Sequence, residues 1–198
     1  MTHPRISQLV AAAMIAIAGA ASAGTTPEVT GVPIVETAGP GGFLGYWGSD
    51  VYKLQSVAER FTLPADGDMR LTLVALWLMN NSDSQQKRVQ LSVQTDALDE
   101  GGSDSIPSGV VLDRWSFVVE ALGWNPVEQS FNSKRLPLLK AGRSYWVVAE
   151  SMAPATVDPV WTFASEGTMF ATTSANGVWQ TGGSGAALTL RVEARALR

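Results

Sequence analysis

The chain has 198 residues, 45% of them hydrophobic, no cysteine and a formal net charge of −4 at pH 7. The lack of cysteine excludes disulfides, cysteine nucleophiles and thiolate metal ligands. The acidic balance argues against nucleic acid and anionic membranes as partners, because both require clustered lysine and arginine.

The N-terminal segment 1–23 is typical of a secretory signal peptide. Arg5 precedes the continuous apolar run Leu9–Ala20, which is too short for a stable membrane anchor. Ala21-Ser22-Ala23 then forms the A-x-A pattern of a cleavage site. A buried core helix is the less favoured alternative for this run. We expect cleavage before Gly24 and an exported protein that is periplasmic or secreted.

Cleavage of the signal peptide would exclude several catalytic and metal-binding mechanisms. The mature protein would lose Arg5, which takes its net charge from −4 to −5, and His3, which is the only histidine. Ser-His-Asp and Cys-His nucleophile systems, and zinc or haem sites with His or Cys ligands, are then excluded. No later segment approaches the roughly 20 apolar residues of a transmembrane helix, so we expect a soluble mature chain.

Residues 24–42 are rich in glycine, proline and threonine. This composition predicts a flexible leader with one short edge strand around Ile34–Glu36. The mature length of about 175 residues is enough to bury roughly 70% of the unfolded chain's surface in one core. We therefore expect a single domain over residues 43–198, after the signal peptide and the leader.

Three segments carry the clearest strand signals. Met69–Met79 is apolar on both faces beyond Leu73, which predicts a central strand covered on both sides or one whose outer face meets a loop. VQLSVQT, at 89–95, alternates apolar and polar residues with the period of two of a half-buried strand. LTLRVEARAL, at 188–197, repeats that alternation.

Further apolar segments of strand length occur at short intervals along the chain. They are Val51–Thr62, Val110–Val119, Ser144–Ser151, Val157–Ala164 and Thr168–Thr172. Turn-forming sequences such as LPADGD, NNSDSQQ and TGGSG separate them. Many short strands broken by such clusters predict an all-β, single-domain antiparallel β-sandwich of the jelly-roll type, not βαβ units.

The aromatic pair Tyr145–Trp146 lies within the predicted strand Ser144–Ser151. Neighbouring side chains of a strand face opposite sides, so these two rings cannot form one platform for a ligand. We expect Tyr145 to be buried with its hydroxyl near the sheet margin. We expect Trp146 to pack on the outer face of the same sheet, beneath a loop.

The order of several motifs resembles a known group of exported domains. SVAERFTLP is followed by DMRLTLVALWL, IPSGVVLDRWSF and LPLLKAGRSYWVVAES, and AALTLRVEA closes the series. From Ser56 to Ala194 the chain resembles the choice-of-anchor R family, exported bacterial β-sandwich domains that are often associated with PEP-CTERM sorting. The resemblance implies a secreted jelly-roll-like domain without an established activity. The sequence ends in VEARALR instead of a Pro-Glu-Pro sorting tail, so we expect release or periplasmic residence.

All seven tryptophans lie after the predicted cleavage site. Trp77 and Trp115 fall within strong strand patterns and are predicted to be core residues. Trp124, Trp161 and Trp179 stand beside turn residues, where an exposed indole could stack on a sugar ring. These three are our candidate ligand-binding residues for a polysaccharide or another cell-surface component. Simple packing is the alternative.

The loop DALDEGGSDS is the only candidate metal site. Its carboxylates are Asp96, Asp99, Glu100 and Asp104. Oxygen ligands close together on a glycine-rich loop suit Ca²⁺, which takes six to eight oxygens in flexible geometry. The spacing does not match an EF-hand, and an ordinary solvated hairpin loop is the alternative. We expect no required cofactor, with calcium as the one candidate.

The remaining carboxylates do not indicate a catalytic pair. They occur singly, as Glu59, Asp113, Glu120, Glu128, Glu150, Glu166 and Glu193. Glycoside hydrolysis needs two carboxyl groups about 5 to 10 Å apart. We therefore expect no enzyme, and we favour a non-catalytic surface-interaction module that binds carbohydrate through loop-end tryptophans. The alternative is a self-associating matrix or filament subunit that assembles through sheet edges, and a carboxylate glycoside hydrolase comes third.

Overall fold

The computed structural model describes residues 31–37, 48–98, 105–120, 122–156, 158–167, 169–182 and 187–197. The described residues form β-strands joined by turns, and no α-helix occurs among them. In this part of the chain there is accordingly no helix with the length and apolar character needed to cross a membrane. The predicted signal peptide lies outside the described residues, as does most of the leader.

The strands are short and follow one another closely. They are β1 (Val32–Glu36), β2 (Gly48–Asp50), β3 (Val57–Thr62), β4 (Met69–Asn80), β5 (Lys87–Leu98), β6 (Ser105–Val119), β7 (Val127–Asn132), β8 (Leu138–Leu139), β9 (Ser144–Ser151), β10 (Pro159–Ala164), β11 (Phe170–Thr173), β12 (Trp179–Thr181), β13 (Ala187–Leu188) and β14 (Leu190–Ala196).

Two antiparallel sheets form a β-sandwich, as the strand pattern predicts. In the eight-stranded sheet the order β1-β14-β4-β10-β13 forms the main path, with β7 and β8 against β4 and β2 against β10. The six-stranded sheet has the order β12-β11-β3-β9-β5-β6. The chain crosses from one sheet to the other at most connections, for example from β3 to β4 and from β4 to β5, as in jelly rolls.

The main core lies between the two sheets. Val89, Leu91 and Val93 of β5 are fully buried in it, which confirms the face predicted by their alternation. The predicted face of the C-terminal segment is confirmed as well. Its members Leu188, Leu190, Val192 and Ala194 are all fully buried there.

Strand β4 is apolar on both faces beyond Leu73 because both faces are buried there. Leu78 lies in the main core, and Ala75 and Met79 on the other face are also fully buried. Leu71 contributes to the core before a register shift opposite Glu193 and Ala194, and Val74 and Leu76 contribute after it. Such a bulge changes which residues face inward, so a single alternation cannot run through the whole strand. The strand is central, with β14 and β10 on one side and β7 and β8 on the other.

Several predicted strand boundaries are wrong. The predicted strand Val51–Thr62 begins six residues later, at Val57, because Tyr52 and Gln55 exchange backbone hydrogen bonds in a tight turn. β7 was not predicted, because its exposed and partly exposed residues give no apolar face. The predicted edge strand around Ile34–Glu36 is present as β1, which pairs with β14.

The Tyr145–Trp146 pair divides between the two faces of β9, as predicted. Tyr145 packs in the main core with its ring centroid 5.6 Å from that of Phe61. Its hydroxyl accepts a hydrogen bond from the backbone N–H of Lys140 at 2.6 Å, at the sheet margin. Trp146 is fully buried on the opposite face.

Trp146 is the centre of a second, smaller apolar cluster, which we call the outer cluster. Its buried members are Ala58, Trp146, Val148 and Ala171, and Met169 and Trp179 pack against it. The indole N–H of Trp146 donates to Asp96 Oδ1 at 2.6 Å. Register shifts bend the β5–β6 ladder, and Cα atoms of β6 come within 8 Å of those of β9 and of β12 at the far edge of the sheet. The six-stranded sheet therefore curls around the outer cluster.

Candidate functional site

One end of the sandwich gathers most of the residues that could contact a ligand, and we call it the loop end. It carries the connections 51–56, 81–86, 120–126, 152–158 and 174–178, because the strands alternate in direction. Two of the three candidate tryptophans belong to these connections or border them. The opposite end carries the connections 63–68 and 140–143.

Trp124 is exposed at the loop end, as predicted. It follows Gly123, whose positive φ of 55° closes the turn after β6. The Gly123 carbonyl accepts a hydrogen bond from the Asn80 N–H, which fixes this turn to the end of β4. About half of the Trp124 surface, 54%, is open to solvent.

The prediction that Trp161 stands at an exposed loop end is wrong. Trp161 is the third residue of β10, which is hydrogen-bonded to β2 on one side and β4 on the other. Its side chain is fully buried in the main core. The indole N–H donates to the Thr189 carbonyl at 2.7 Å, so its one polar group is also used internally. Trp161 is a structural residue.

Trp179 lines an open groove at the loop end, on the curled face of the six-stranded sheet. We call it the tryptophan groove, and its volume is about 300 Å³. Its lining residues are Lys53, Leu54, Ser56, Glu150, Thr173, Ser174, Ala175, Gly177 and Trp179. Trp179 is partly buried because its side chain packs against the outer cluster.

Hydrogen bonds within the groove walls hold them in place. The Thr173 hydroxyl accepts from the Ser56 N–H at 2.8 Å, which ties β11 to the start of β3. In the turn between β11 and β12, Ser174 N–H donates to the Val178 carbonyl at 2.8 Å. Gly177 completes this turn with a φ of 80°, a conformation that favours glycine. Trp179 therefore starts from a fixed turn.

Two oppositely charged side chains flank the groove. Glu150 is exposed at the end of β9, and Lys53 is exposed in the turn before β3. Neither takes part in a salt bridge among the described residues. Their polar groups are thus open to hydrogen bonds with a bound molecule.

A second groove lies at the opposite end of the sandwich and has a volume of about 340 Å³. It is lined by Val32, Pro33, Ile34, Pro64, Asp66, Gly67, Asp68, Met69 and Ala196. None of these residues is aromatic. The Lys140 ammonium and the Ala141 N–H hold the pKa of Asp68 below its usual value. This groove lacks the flat ring that stacking on a sugar requires.

Of the four carboxylates of the predicted calcium loop, the structure describes Asp96 alone. Asp99, Glu100 and Asp104 lie outside the described residues. Asp96 Oδ1 accepts hydrogen bonds from the Trp146 indole and from the Ser105 hydroxyl. In the described ranges no group of three or more His, Cys, Asp or Glu side chains is arranged to hold a metal ion. Asp96 therefore has a packing role that the sequence pattern did not indicate.

The structure brings two of the scattered carboxylates together. Glu128 Oε1 and Glu193 Oε1 both contact the guanidinium of Arg191, at 2.5 and 3.3 Å, on the outer face of the eight-stranded sheet. Glu59 and Asp113 are buried, and each accepts hydrogen bonds, Glu59 from the Leu188 N–H and Asp113 from the Ser133 hydroxyl. These contacts give the four carboxylates defined structural partners.

No pattern in the sequence indicates a further group of polar residues that lies at the loop end. Asp50 of β2, Asp158 before β10 and Asn81 after β4 lie at the ends of three neighbouring strands. Burial and the nearby charge of Asp50 raise the pKa of Asp158 to about 6, and burial raises that of Asp50. The three residues are far apart in sequence, so only the strand order could have revealed them.

Comparison with known proteins adds no assignment. No protein-family model matches the chain, and no curated protein matches it either. The resemblance to choice-of-anchor R domains stays a prediction from the motifs in the sequence.

Proposed function

We propose that the protein is an exported, non-catalytic surface-interaction module that binds carbohydrate in the tryptophan groove. The observation that carries the proposal is the position of Trp179, which lines an open groove between hydroxyl groups and two charged side chains. Export follows from the predicted signal peptide. The proposal keeps one of the three candidate tryptophans as the centre of the site.

The chemistry of the groove suits a sugar ring. Carbohydrates present apolar C–H faces, which stack on aromatic rings, and hydroxyl edges, which need hydrogen-bond donors and acceptors. The indole of Trp179 offers the first kind of contact. Glu150 supplies acceptors and Lys53 supplies donors at the rim of the same groove. A volume of about 300 Å³ accommodates one or two sugar units, at the small end of the range for ligand sites.

Trp124 extends this surface. It lies at the same end of the sandwich, and more than half of its surface is exposed. A polymer that occupies the tryptophan groove could continue across the loop end toward Trp124. A short oligosaccharide would contact Trp179 alone.

The test is binding of the purified protein to a broad array of bacterial and plant glycans, followed by titration calorimetry with the best glycan. Trp179→Ala should weaken binding at least about tenfold, since a central aromatic anchor commonly contributes 2 kcal/mol or more. Met152→Ala is the matched control, because Met152 is 84% exposed and does not line the groove. A blank array, or an unchanged affinity of Trp179→Ala, would contradict the proposal.

The second candidate is a matrix or filament subunit that assembles through a sheet edge. The observation that favours it is β1, an edge strand that pairs with β14 on one side and has no partner on its other side among the described strands. An unpaired edge can accept a strand from a neighbouring molecule. Pro33 weakens this edge, because proline cannot donate a ladder hydrogen bond.

Size-exclusion chromatography at rising protein concentration separates the two candidates. A matrix subunit grows in size with concentration, and deletion of residues 24–39 should abolish that growth because it removes β1. A carbohydrate-binding module remains monomeric over the same range. Monomeric behaviour of the undeleted protein at millimolar concentration would rule out assembly through β1.

A further inference from the structure

Two buried oxygen atoms at the loop end have no hydrogen-bond donor among the described residues. They are Oδ2 of Asp158 and Oδ1 of Asn81. Asp158 is completely buried, and its other oxygen, Oδ1, accepts a hydrogen bond from the Asn81 amide. This bond also fixes the orientation of the Asn81 side chain, because the opposite orientation would bring two oxygens together. Buried acceptors without a donor are costly, so their presence needs an explanation.

The backbone places a second carboxylate beside them. Asp50 is paired with Val160, and Asp158 precedes Val160 by two residues, so Asp50 and Asp158 are diagonal neighbours. The Val51 N–H donates to the Pro159 carbonyl, which continues the ladder between the two strands. On the other side of Asp158, the Asn81 N–H donates to the Asp158 carbonyl at 3.1 Å. Asp158 is thus flanked by Asn81 and Asp50.

No lysine or arginine of the described ranges forms an ion pair with this group. The salt bridges among the described residues involve neither Asp50 nor Asp158. Two carboxylates close together in a partly desolvated place repel each other, and a proton or a cation between them relieves the repulsion. The electrostatics therefore favour binding of a proton or of a cation.

A shared proton and a bound cation differ in how many of the oxygens they can satisfy. A proton held between Asp158 and Asp50 would satisfy Asp158 Oδ2 and leave the buried Asn81 Oδ1 without a donor. A cation contacts several oxygens at once, and carboxylate and amide oxygens are the ligands of hard divalent ions. The unpaired amide oxygen is what favours the cation.

We propose that Asp50, Asp158 and Asn81 form a calcium site that links the ends of β2, β10 and β4. Asp158 Oδ2, the Asp50 carboxylate and Asn81 Oδ1 supply three oxygen ligands from side chains. Water completes the six to eight ligands of Ca²⁺, because Asp50 is exposed to solvent. Mg²⁺ is a poorer fit, since it demands near-ideal octahedral geometry and releases its water reluctantly.

The experiment measures thermal unfolding of the purified protein in chelator-treated buffer with and without 10 mM CaCl₂. Sites in extracellular modules have Kd values of about 0.1 to 1 mM, so this concentration is roughly twenty times a mid-range Kd. We expect Tm to rise by about 4 to 7 °C, which follows from binding to the folded state alone. The same titration in a calorimeter should show saturable heat, with a smaller response to MgCl₂.

Asp158→Asn is the decisive variant, because it preserves the shape of the side chain and removes a charge that the site would need. It should fold at least as well as the parent protein without calcium and should lose the rise in Tm. Asp50→Asn should reduce the rise, and Asp66→Asn, an exposed acidic residue at the opposite end, should leave it unchanged. The absence of heat and of any Tm shift at 10 mM CaCl₂ would overturn the proposal. A shift that survives in Asp158→Asn and disappears in Asp96→Asn would also overturn it, because calcium would then bind at the acidic loop.

Discussion

The main core and the outer cluster lie on opposite faces of the six-stranded sheet and are built in different ways. The main core draws aliphatic and aromatic side chains from both sheets, and its residues fill the space between two continuous surfaces. The outer cluster has four fully or almost fully buried residues, of which Trp146 is the only large one. Its indole is fixed by Asp96, a carboxylate of the neighbouring strand β5.

Because of this difference, we expect substitutions in the main core to lower the stability of the whole protein and substitutions in the outer cluster to disturb mainly the residues around it. A residue of the main core is enclosed by many neighbours in both sheets, so its loss affects the whole cooperative unit. The outer cluster is joined to the β5–β6 hairpin by the hydrogen bond between Trp146 and Asp96, and Trp179 packs against it. Its loss should therefore first affect that hairpin and the wall of the tryptophan groove. The predictions below perturb the two regions in order of decreasing expected effect on stability.

Trp161→Ala should have the largest effect, a loss of about 3 to 5 kcal/mol in the free energy of unfolding. The change leaves a large cavity in the main core and removes the donor to the Thr189 carbonyl. Urea unfolding followed by circular dichroism measures it. A loss of less than about 1 kcal/mol would mean that Trp161 is not enclosed by the main core.

Trp146→Phe should lower the free energy of unfolding by about 1 to 3 kcal/mol. The phenyl ring fills most of the indole volume but cannot donate to Asp96, and a hydrogen bond to a charged acceptor contributes about this much. Amide hydrogen exchange should become faster in residues 105–110 and remain unchanged in β14. Equal acceleration in β14 would contradict the separation of the two clusters.

A change of pH is expected to act on Asp158 at the loop end and not on the main core or the outer cluster. Because the folded-state pKa of Asp158 is about 6, above the usual aspartate value of 3.8, the folded state binds more protons than the unfolded state between these values. In calcium-free buffer the stability contributed at this site should therefore fall as the pH rises from about 4 to about 6. After allowance for solvent screening the change is about 1 to 2 kcal/mol.

The readout for this pH effect is the difference in unfolding free energy between the parent protein and Asp158→Asn. That difference removes the contribution of other groups, such as Asp68, whose lowered pKa gives the opposite slope at lower pH. Parallel pH profiles for the two proteins would show that Asp158 does not titrate in this range.

Met152→Ala should have the smallest effect, less than about 0.5 kcal/mol. Its side chain is 84% exposed and belongs to neither cluster. The same urea titration measures it, and the result sets the baseline for the other substitutions. A loss above about 1 kcal/mol would indicate an unrecognised contact of the 152–156 segment.

Strands with one buried face could be predicted from the sequence, because alternation reports burial directly. β5 and β14 show this, and so does the division of Tyr145 and Trp146 between two faces. The position of Trp161 could not be predicted in this way. The turn residues before it indicate a loop, yet β10 starts at Pro159 and is already enclosed by β2 and β4 at its third residue.

The sequence did not reveal which residues come together in the two candidate sites, for a related reason. The tryptophan groove combines Lys53, Glu150 and Trp179, and the proposed calcium site combines Asp50, Asn81 and Asp158. Each set is dispersed over more than a hundred residues, and strand order alone brings its members together. The acidic loop, in contrast, is conspicuous in sequence because its four carboxylates lie within residues 96–104, and its one described carboxylate accepts a hydrogen bond from a buried indole.

The curl of the six-stranded sheet also affects how the protein behaves when it is crowded. An open sheet edge offers a row of unpaired N–H and C=O groups on which other chains can form amyloid-like aggregates. Here the two edge strands, β6 and β12, approach each other within 8 Å between Cα atoms and partly shield each other's edges. This approach should lower the tendency of the six-stranded sheet to pair with other chains through its edges.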